Sequence, residues 1–552
     1  MGEGLGDWRR ATWEKDDMAV KGRWRKTAAG FLLLAVAMGV LQWNWFAMPL
    51  ERDEGEYAYA AWLMRTGKGV PYRDSFLQKP PMIVYTYGLV EALAPKSDKA
   101  GFRVAGFLAS LATAGLVWGL GKREFGGRAG MYGAWLWVVF LQQTTLFASA
   151  AANVEKFMAV PVLGAIAAAG GGERRWWRWG LAGALAGAAV LYKPICGPVL
   201  AVWFLWAVLA KPRQTTGASP RTPGAPESRT PQGRASAWRR LGWVVLGGVA
   251  AVAAGIGWFA WKGALGAMWE CAVEYVWEYA KLPGHNEGLV AKAFETWKMG
   301  LIAVLTAAGL ALRWRKGLAL SCATAVASWV ALTGVNGHYV LTALPFAAMM
   351  AGKAVEAVSR RFGRHVGMAG AAITAVLFLV LAGIGEERKA LGYTPRGLSE
   401  ALYRGNPFPE AEGAGRIVGG ICRAGDTVHI VGSEPEILWH ARRKGATRFD
   451  IAYPLALPTR HAADYQREAL RQLADDLPEV VVLARTRLGF LGPPELYAGY
   501  LREMAGMIGG GGYRLAWSFV PGIGEWVSGG DWGEREKAGA SLGIWVRNGK
   551  EE

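Results

Sequence analysis

Residues 27–85 read TAAGFLLLAVAMGVLQWNWFAMPLERDEGEYAYAAWLMRTGKGVPYRDSFLQKPPMIVY, an apolar run followed by a loop rich in charges. The apolar run is long enough to cross the hydrocarbon core of a bilayer, which needs roughly 20 apolar residues. The preceding residues 1–26 are basic and contain no obvious small-residue cleavage site, so we expect an uncleaved first helix rather than a signal peptide. Carboxylates and a lysine then follow beside the membrane, which suggests chemistry on a charged lipid.

The composition indicates a membrane protein with many spans. The 552 residues are 52% hydrophobic and 19% charged, with 28 Trp and 76 Gly. Gly and Trp are frequent in or beside bilayers, whereas a soluble chain normally carries more charge. We therefore expect a polytopic α-helical protein with about eleven transmembrane helices. After the first, apolar runs occupy about residues 101–120, 129–148, 155–171, 180–192, 194–210, 241–262, 298–312, 317–335, 338–352 and 366–385.

The basic clusters predict an orientation, because short cytoplasmic loops are enriched in Lys and Arg. With the N-terminus inside, every basic cluster is cytoplasmic if the run from Gly180 to Ala210 crosses twice, with a hairpin apex near Lys193. This parity places everything after Gly385 outside. The clusters are Lys122/Arg123/Arg128, Arg174/Arg175/Arg178, the basic residues from Lys211 to Arg240, Arg313/Arg315/Lys316, and Lys353/Arg360/Arg361/Arg364.

This orientation also explains the net charge of +18. The sequence has no soluble basic face with interleaved aromatics, so we expect no nucleic-acid partner. The four cysteines are scattered without a CxxC or His-linked spacing, which indicates neither a disulfide framework nor a zinc site.

Changes in composition divide the chain into three parts. The tail beyond residue 385 loses its long apolar runs and gains strand patterns such as Asp426–Val431 and Glu479–Leu483, which predict a small α/β domain. The Pro- and Ser-rich linker in the middle of the membrane part cannot bury a core. The expected organisation is a cytoplasmic tail (1–26), a transmembrane catalytic domain (27–385) with outer loops 51–99 and 263–296 and a disordered cytoplasmic linker (211–240), and an extracytoplasmic α/β domain (386–552).

We expect interfacial helices in the first outer loop, and this loop contains the best candidates for chemistry. A carboxylate such as Asp53 or Glu54 can act as a general base if it reaches an acceptor proton. The alternative is that the two acids only cap the helix that begins near Glu54. Lys79, in QKPP, is a candidate phosphate ligand. Simple snorkelling of Lys79 to anionic lipid is the alternative, but snorkelling does not explain the double proline beside it.

Further candidates lie at the outer ends of later helices. An acid such as Glu155, in AANVEKFM, is costly at a helix end unless it is paired or useful, and Asn153 precedes it. Lys193, at the hairpin apex, returns to the same face and could share a phosphate with Lys79. The remaining candidates, each more often structural at a helix mouth, are Arg103, His338 and Tyr339.

Together these motifs resemble the GT-C class of membrane glycosyltransferases. The similarity is greatest to the bacterial branch of the dolichyl-phosphate-mannose protein mannosyltransferase family, glycosyltransferase 39-like, which includes the aminoarabinose transferases of lipid A. DEGEYAYAAWLM matches the family pattern D-E-x-x-Y-A, and QKPP matches its K-P-P. ANVEKFM resembles its second acidic motif, and HYVLTALP resembles a late helix of these enzymes.

The resemblance implies transfer of a hexosyl or pentosyl group from a polyprenyl-phosphate sugar. Asp53 would deprotonate the acceptor, with inversion at the anomeric carbon, and Lys79 with Lys193 or Arg103 would neutralise the leaving phosphate. Glu54 and Glu155 would orient the sugar or acceptor. Further contacts to sugar or acceptor are expected from Tyr57, Asn153, His338 and Tyr339.

The resemblance also implies the partners and the location. We expect membrane lipids and a lipid, glycan or protein acceptor as partners, at the outer face of the bacterial cytoplasmic membrane. No nucleotide sugar is needed there. The paired acids could hold a divalent cation as a cofactor. Two alternatives are a transporter or flippase of lipid-linked sugars and a polymerase or ligase of surface polysaccharide.

Overall fold

A computed structural model gives the fold. It describes residues 28–96, 98–141, 150–170, 175–209, 231–282, 297–313, 317–332, 337–363, 365–366, 369, 392–403, 405–485 and 492–549. Most of the predicted apolar run 366–385 and most of the linker 211–240 lie outside the described residues. Residues 231–240, predicted as part of the disordered linker, instead begin the helix Pro231–Trp261.

The first part of the chain is helical. Its helices are α1 (Ala28–Leu41), α2 (Arg52–Thr66), α3 (Met82–Leu93), α4 (Lys99–Phe125), α5 (Gly127–Leu141), α6 (Val154–Ala169), α7 (Trp176–Tyr192), α8 (Gly197–Leu209), α9 (Pro231–Trp261), α10 (Leu265–Trp269), α11 (Tyr275–Tyr279), α12 (Trp297–Arg313), α13 (Gly317–Leu332) and α14 (Leu344–Phe362). A π-helical turn, Glu270–Glu274, joins α10 to α11.

Most predicted apolar runs coincide with these helices, but fewer helices than expected have the length of a span. Among the described residues, two helices are long and apolar enough to cross a membrane, Lys99–Phe125 and Ala237–Trp261. Shorter apolar helices are Ala28–Leu41, Met82–Leu93, Pro194–Val208, Ile302–Leu312 and Gly317–Ala327. The number of about eleven spans therefore stays a prediction.

One predicted helix begins later than expected. The apolar run 338–352 starts as a 3₁₀ segment, Gly337–Thr342, and α14 begins only at Leu344. Pro345 stands in the first turn of α14, where its fixed φ angle suits a helix start and its missing N–H costs nothing. Residues 339–342 therefore form a short turn beside the bundle.

Close helix packing in the bundle depends on small residues. A Cβ atom on Gly183 of α7 would lie 1.9 Å from the carbonyl oxygen of Val244 on α9. Any larger residue at position 183 would push the two helices apart. Such contacts through glycine are typical of membrane helices, where small residues let backbones approach closely.

The second part of the chain is a mixed α/β domain. Its sheet has the order β2-β1-β3-β6-β4-β5, in which β1 pairs in parallel with β2 and β3, and the other pairs are antiparallel. Its elements are α15 (Pro395–Leu402), α16 (Phe408–Ile421), β1 (Thr427–Val431), α17 (Glu436–Ala441), β2 (Lys444–Gly445), α18 (Tyr453–Ala456), α19 (Ala462–Asp475), β3 (Val480–Ala484), α20 (Pro494–Gly510), β4 (Tyr513–Val520), β5 (Glu525–Ser528), α21 (Trp532–Lys537) and β6 (Leu542–Arg547).

This domain packs directly on the first loop. Helix α2, predicted as an interfacial helix of the first outer loop, is buried from Glu54 to Leu63. The backbone N–H of Gly445 donates to the Tyr59 hydroxyl at 2.7 Å, and the Arg52 guanidinium donates to the carbonyl of Ser433 at 2.6 Å. The domain and the first loop therefore lie on the same side of the bundle.

Candidate active site

The N-terminus of α2 is capped in a way that separates the two acids of the pair. The Glu51 carboxylate accepts from the backbone N–H groups of Asp53 and Glu54, and the Glu54 carboxylate accepts from the N–H of Glu51. This is a capping box with Glu in the place of the usual Ser or Thr. The sequence left open that Asp53 and Glu54 only cap this helix. In the structure the Glu54 side chain takes part in the cap, and the Asp53 side chain does not.

Glu54 and Arg103 form a buried ion pair behind the site. Arg103 Nη2 lies 2.5 Å from Glu54 Oε2, and the side chains are 1% and 0% exposed. Arg103 also donates to the carbonyls of Pro49 and Ala150, and Glu54 Oε1 accepts from the N–H of Ala152. The structure thus corrects two predictions. Arg103 cannot reach a donor phosphate and Glu54 cannot reach a sugar or acceptor, because each is enclosed by protein partners.

Asp53 and Lys79 face each other on the open side of α2. Lys79 Nζ lies 3.9 Å from Asp53 Oδ2, and the two side chains are 13% and 27% exposed. The Tyr57 hydroxyl, one helical turn along, donates to Asp53 Oδ2 at 3.4 Å. Burial lowers the pKa of Lys79, but the negative groups around it, Asp53 foremost and then Glu56, Tyr339 and Glu155, together raise the pKa above its ordinary value. An accessible carboxylate therefore stands beside a permanent cation.

Glu56 is a further site residue, which the sequence analysis did not single out. Its carboxylate accepts from the backbone N–H of Gln78 at 3.1 Å, next to Lys79. Burial raises the pKa of Glu56 to about 8, although the Lys79 ammonium lowers it. Its position one turn after Asp53 on α2 is the sequence signal that could have indicated it.

A second cation approaches from the helical bundle. Lys193, directly after α7, donates to Glu155 Oε1 at 2.6 Å, and its Nζ lies 3.4 Å from the centre of the Tyr339 ring. The cation over the ring face is a favourable electrostatic arrangement. Glu155 and Tyr339 in turn lie close enough to Lys79 to interact with it electrostatically. The structure thus gathers Asp53, Lys79, Glu155, Lys193 and Tyr339 from segments far apart in sequence.

The other predicted residues have less direct positions. Asn153 precedes α6 and is 1% exposed, and its side chain makes no cap hydrogen bond. The side chain of His338 lies outside the described residues. Tyr279 of α11, which was not predicted, lies near Tyr339, Lys79 and Asp53. In the part of the chain that the structure describes, no cluster of three or more His, Cys, Asp or Glu residues could hold a metal ion.

The structure is a helical bundle with an α/β domain seated on its first loop, and acids and cations meet between them. Solved structures share this fold. The chain is similar to ArnT from Cupriavidus metallidurans bound to undecaprenyl phosphate, with a TM-score of 0.57 and 14% identity over 94% of this chain and 98% of ArnT. It is also similar to the archaeal oligosaccharyltransferase AglB from Archaeoglobus fulgidus in complex with an inhibitory peptide and a dolichol-phosphate. There the TM-score is 0.51, with 13% identity over 92% of this chain and 74% of AglB.

Part of the front half also matches a known family. Residues 78–221 match the family of dolichyl-phosphate-mannose-protein mannosyltransferases. The match includes Lys79, Glu155 and Lys193, and it confirms the resemblance found in the motifs. No curated protein sequence matches the chain.

Proposed function

We propose that this protein transfers a sugar from a polyprenyl-phosphate donor to an acceptor at the outer face of the bacterial cytoplasmic membrane. The observation that carries the proposal is the pair of an accessible carboxylate and a cation, Asp53 and Lys79, with the second cation Lys193 nearby. A phosphate needs cations, and an acceptor hydroxyl needs a base. The family match of residues 78–221 supports this class of donor.

The reaction would proceed by a single displacement. Asp53 takes the proton of the acceptor hydroxyl, whose oxygen attacks the anomeric carbon of the donor sugar. The bond between that carbon and the phosphate oxygen breaks, and polyprenyl phosphate leaves with one more negative charge. Because attack and departure occur on opposite sides, the configuration at the anomeric carbon inverts. A positioned base contributes about 10²- to 10⁴-fold to such a step.

The cations would act on the leaving group. Lys79 is held beside Asp53 at 3.9 Å, so one end of the site can bind the phosphate while the other binds the acceptor proton. Lys193 would exchange part of its contact with Glu155 for a phosphate oxygen. Electrostatic stabilisation of charge that develops in the transition state is usually the largest catalytic contribution. Glu155 would then orient Lys193 rather than the sugar.

The test is transfer of label from a defined donor. Purified protein in proteoliposomes would receive a radiolabelled polyprenyl-phosphate sugar together with lipid, glycan or peptide acceptors. Covalent transfer to one of these acceptors, with inversion, is the expected result. Movement of the intact donor between leaflets without transfer would indicate a flippase. Transfer only from a diphosphate-linked oligosaccharide would indicate a polymerase or ligase.

A further inference from the structure

The loop that ends in Lys79 is fixed at an unusual number of points. We call residues 72–79 the Lys79 segment. It begins at Tyr72, whose φ angle of 72° lies in the left-handed region that non-glycine residues rarely adopt. The Tyr72 hydroxyl donates to the carbonyl of Lys79 at 2.8 Å, so the two ends of the segment are joined. A strained backbone of this kind persists only where surrounding contacts determine it.

The α/β domain supplies the contacts in the middle of the segment. Asp450 Oδ2 accepts from the Ser75 hydroxyl at 2.9 Å, and its Oδ1 accepts from the N–H of Phe76 at 3.2 Å. The same N–H donates to the carbonyl of Arg448 at 2.6 Å. Asp450 and Ser75 are 2% and 0% exposed, so water does not compete for these bonds.

The α/β domain also supplies packing contacts to the Phe76 ring. The ring is stacked on Phe449 with 5.6 Å between centroids, and its edge contacts Tyr465 at 5.3 Å. Tyr275 of α11 packs against it from the second outer loop at 5.1 Å. Phe76 is thus enclosed by the domain on one side and by the second outer loop on the other.

At its far end the segment meets α2. Glu56 binds the N–H of Gln78, directly before Lys79, and Asp53 faces the Lys79 ammonium. The position of Lys79 relative to Asp53 therefore depends on contacts from both sides, with Glu56 on α2 and Asp450 on the domain. Burial raises the pKa of Asp450 to about 7, which shows that the domain keeps this carboxyl at an electrostatic cost.

We propose that the C-terminal α/β domain is a positioning element of the active site, in which Asp450 fixes the Lys79 segment through Ser75 and Phe76. The proposal rests on the proposed function, because it assigns Lys79 to the donor phosphate. Asp450 does not contact the substrate and is a positioning residue, not a catalytic one. A displacement of about 1 Å in a catalytic group can cost 10²-fold in rate, so a modest loosening of the segment has a measurable effect.

The test compares Asp450→Ala with a matched control, Glu412→Ala. Glu412 forms an ion pair with Lys99 at another contact between the domain and the bundle, away from the Lys79 segment. Two quantities are measured in each full-length protein: amide hydrogen exchange of residues 75–79, and steady-state transfer with the donor and the acceptor varied separately.

Asp450→Ala is expected to speed exchange at residues 75–79 and to lower kcat/KM for the donor roughly tenfold, with an unchanged KM for the acceptor. Asp450→Asn should recover most of the activity because an amide can still bind Ser75 and Phe76. Glu412→Ala should leave both quantities near wild type. If Asp450→Ala fails to fold, Ser75→Ala removes one contact only and should show smaller changes of the same kind.

The outcomes separate the two proposals. Equal effects of Asp450→Ala and Glu412→Ala, or unchanged exchange at residues 75–79 in Asp450→Ala or Ser75→Ala, would overturn the positioning role. Faster exchange in Asp450→Ala would support the contact between Asp450 and the Lys79 segment. If the wild-type protein then showed no transfer, the proposed function would be refuted and the contact would not.

Discussion

Substitution of Arg103 by Met distinguishes a structural arginine from a phosphate ligand. In the wild-type protein the guanidinium is 1% exposed and makes hydrogen bonds to Glu54 and to the carbonyls of Pro49 and Ala150. Methionine has a similar length but cannot donate. The substitution leaves the Glu54 carboxylate buried without its countercharge, a change that typically costs about 3–5 kcal/mol. Glu54 keeps its bonds to the N–H groups of Glu51 and Ala152, which favours the lower end of this range.

The assay measures stability and donor affinity in the same preparation. Thermal unfolding in detergent should show a lower Tm for Arg103→Met, and the double variant with Glu54→Gln should recover part of the loss. Such a recovery measures the coupling between the two side chains. The fraction that remains folded should have a donor KM within about threefold of wild type, because Arg103 does not reach the open side of the site.

The opposite pattern would refute this reasoning. If Arg103→Met unfolded at the wild-type temperature while the donor KM rose tenfold or more, Arg103 would contact the phosphate. The buried pair with Glu54 would then not describe the working enzyme.

Three further predictions follow from the site. Lys79→Met should lower transfer at least about 10²-fold in folded protein, because it removes the cation, 3.9 Å from Asp53, that would neutralise the leaving phosphate. A wild-type kcat in a transfer assay would exclude this role of Lys79. Glu56 has a pKa of about 8 in the folded protein against an ordinary 4.5, so the folded state retains the proton and stability should fall as pH rises from about 4.5 to 8. Glu56→Gln should flatten Tm across this range, and a pH profile identical to wild type would contradict the burial argument. Gly55→Ala should loosen the contact between α2 and the α/β domain, because a Cβ atom there would lie 2.7 Å from the backbone nitrogen of Glu436. Unchanged protease sensitivity of the domain would count against this prediction.

The residues that the sequence identified correctly as neighbours are those in short motifs. Asp53 and Lys79 stand in one loop, and the hairpin that returns Lys193 to the side of Glu155 follows from the charge pattern of the loops. Local chemistry and topology were sufficient here, because few other arrangements place all basic clusters on one side.

The residues that the sequence misassigned depend on distant contacts. Glu54 and Arg103 are 49 positions apart and pair only because α4 passes behind α2. The sequence predicts α2 as an interfacial helix, but the domain beyond residue 392 packs on it. The sequence signal for Glu56 is its place one turn after Asp53 on α2, and that signal does not show that its carboxylate is buried. Contacts between residues far apart in the sequence decide whether a charged side chain near a helix start faces a substrate or a protein partner.

The most direct measurement compares sugar transfer by the wild-type protein, Asp53→Asn and Asp74→Asn, each with the same radiolabelled polyprenyl-phosphate sugar. Asp74 lies in the same loop but pairs with Lys444 of the domain, so it controls for the loss of a carboxylate there. The proposed mechanism predicts transfer by the wild type and by Asp74→Asn, and a loss of about 10²-fold or more in Asp53→Asn at unchanged donor binding. Wild-type transfer by folded Asp53→Asn would contradict it.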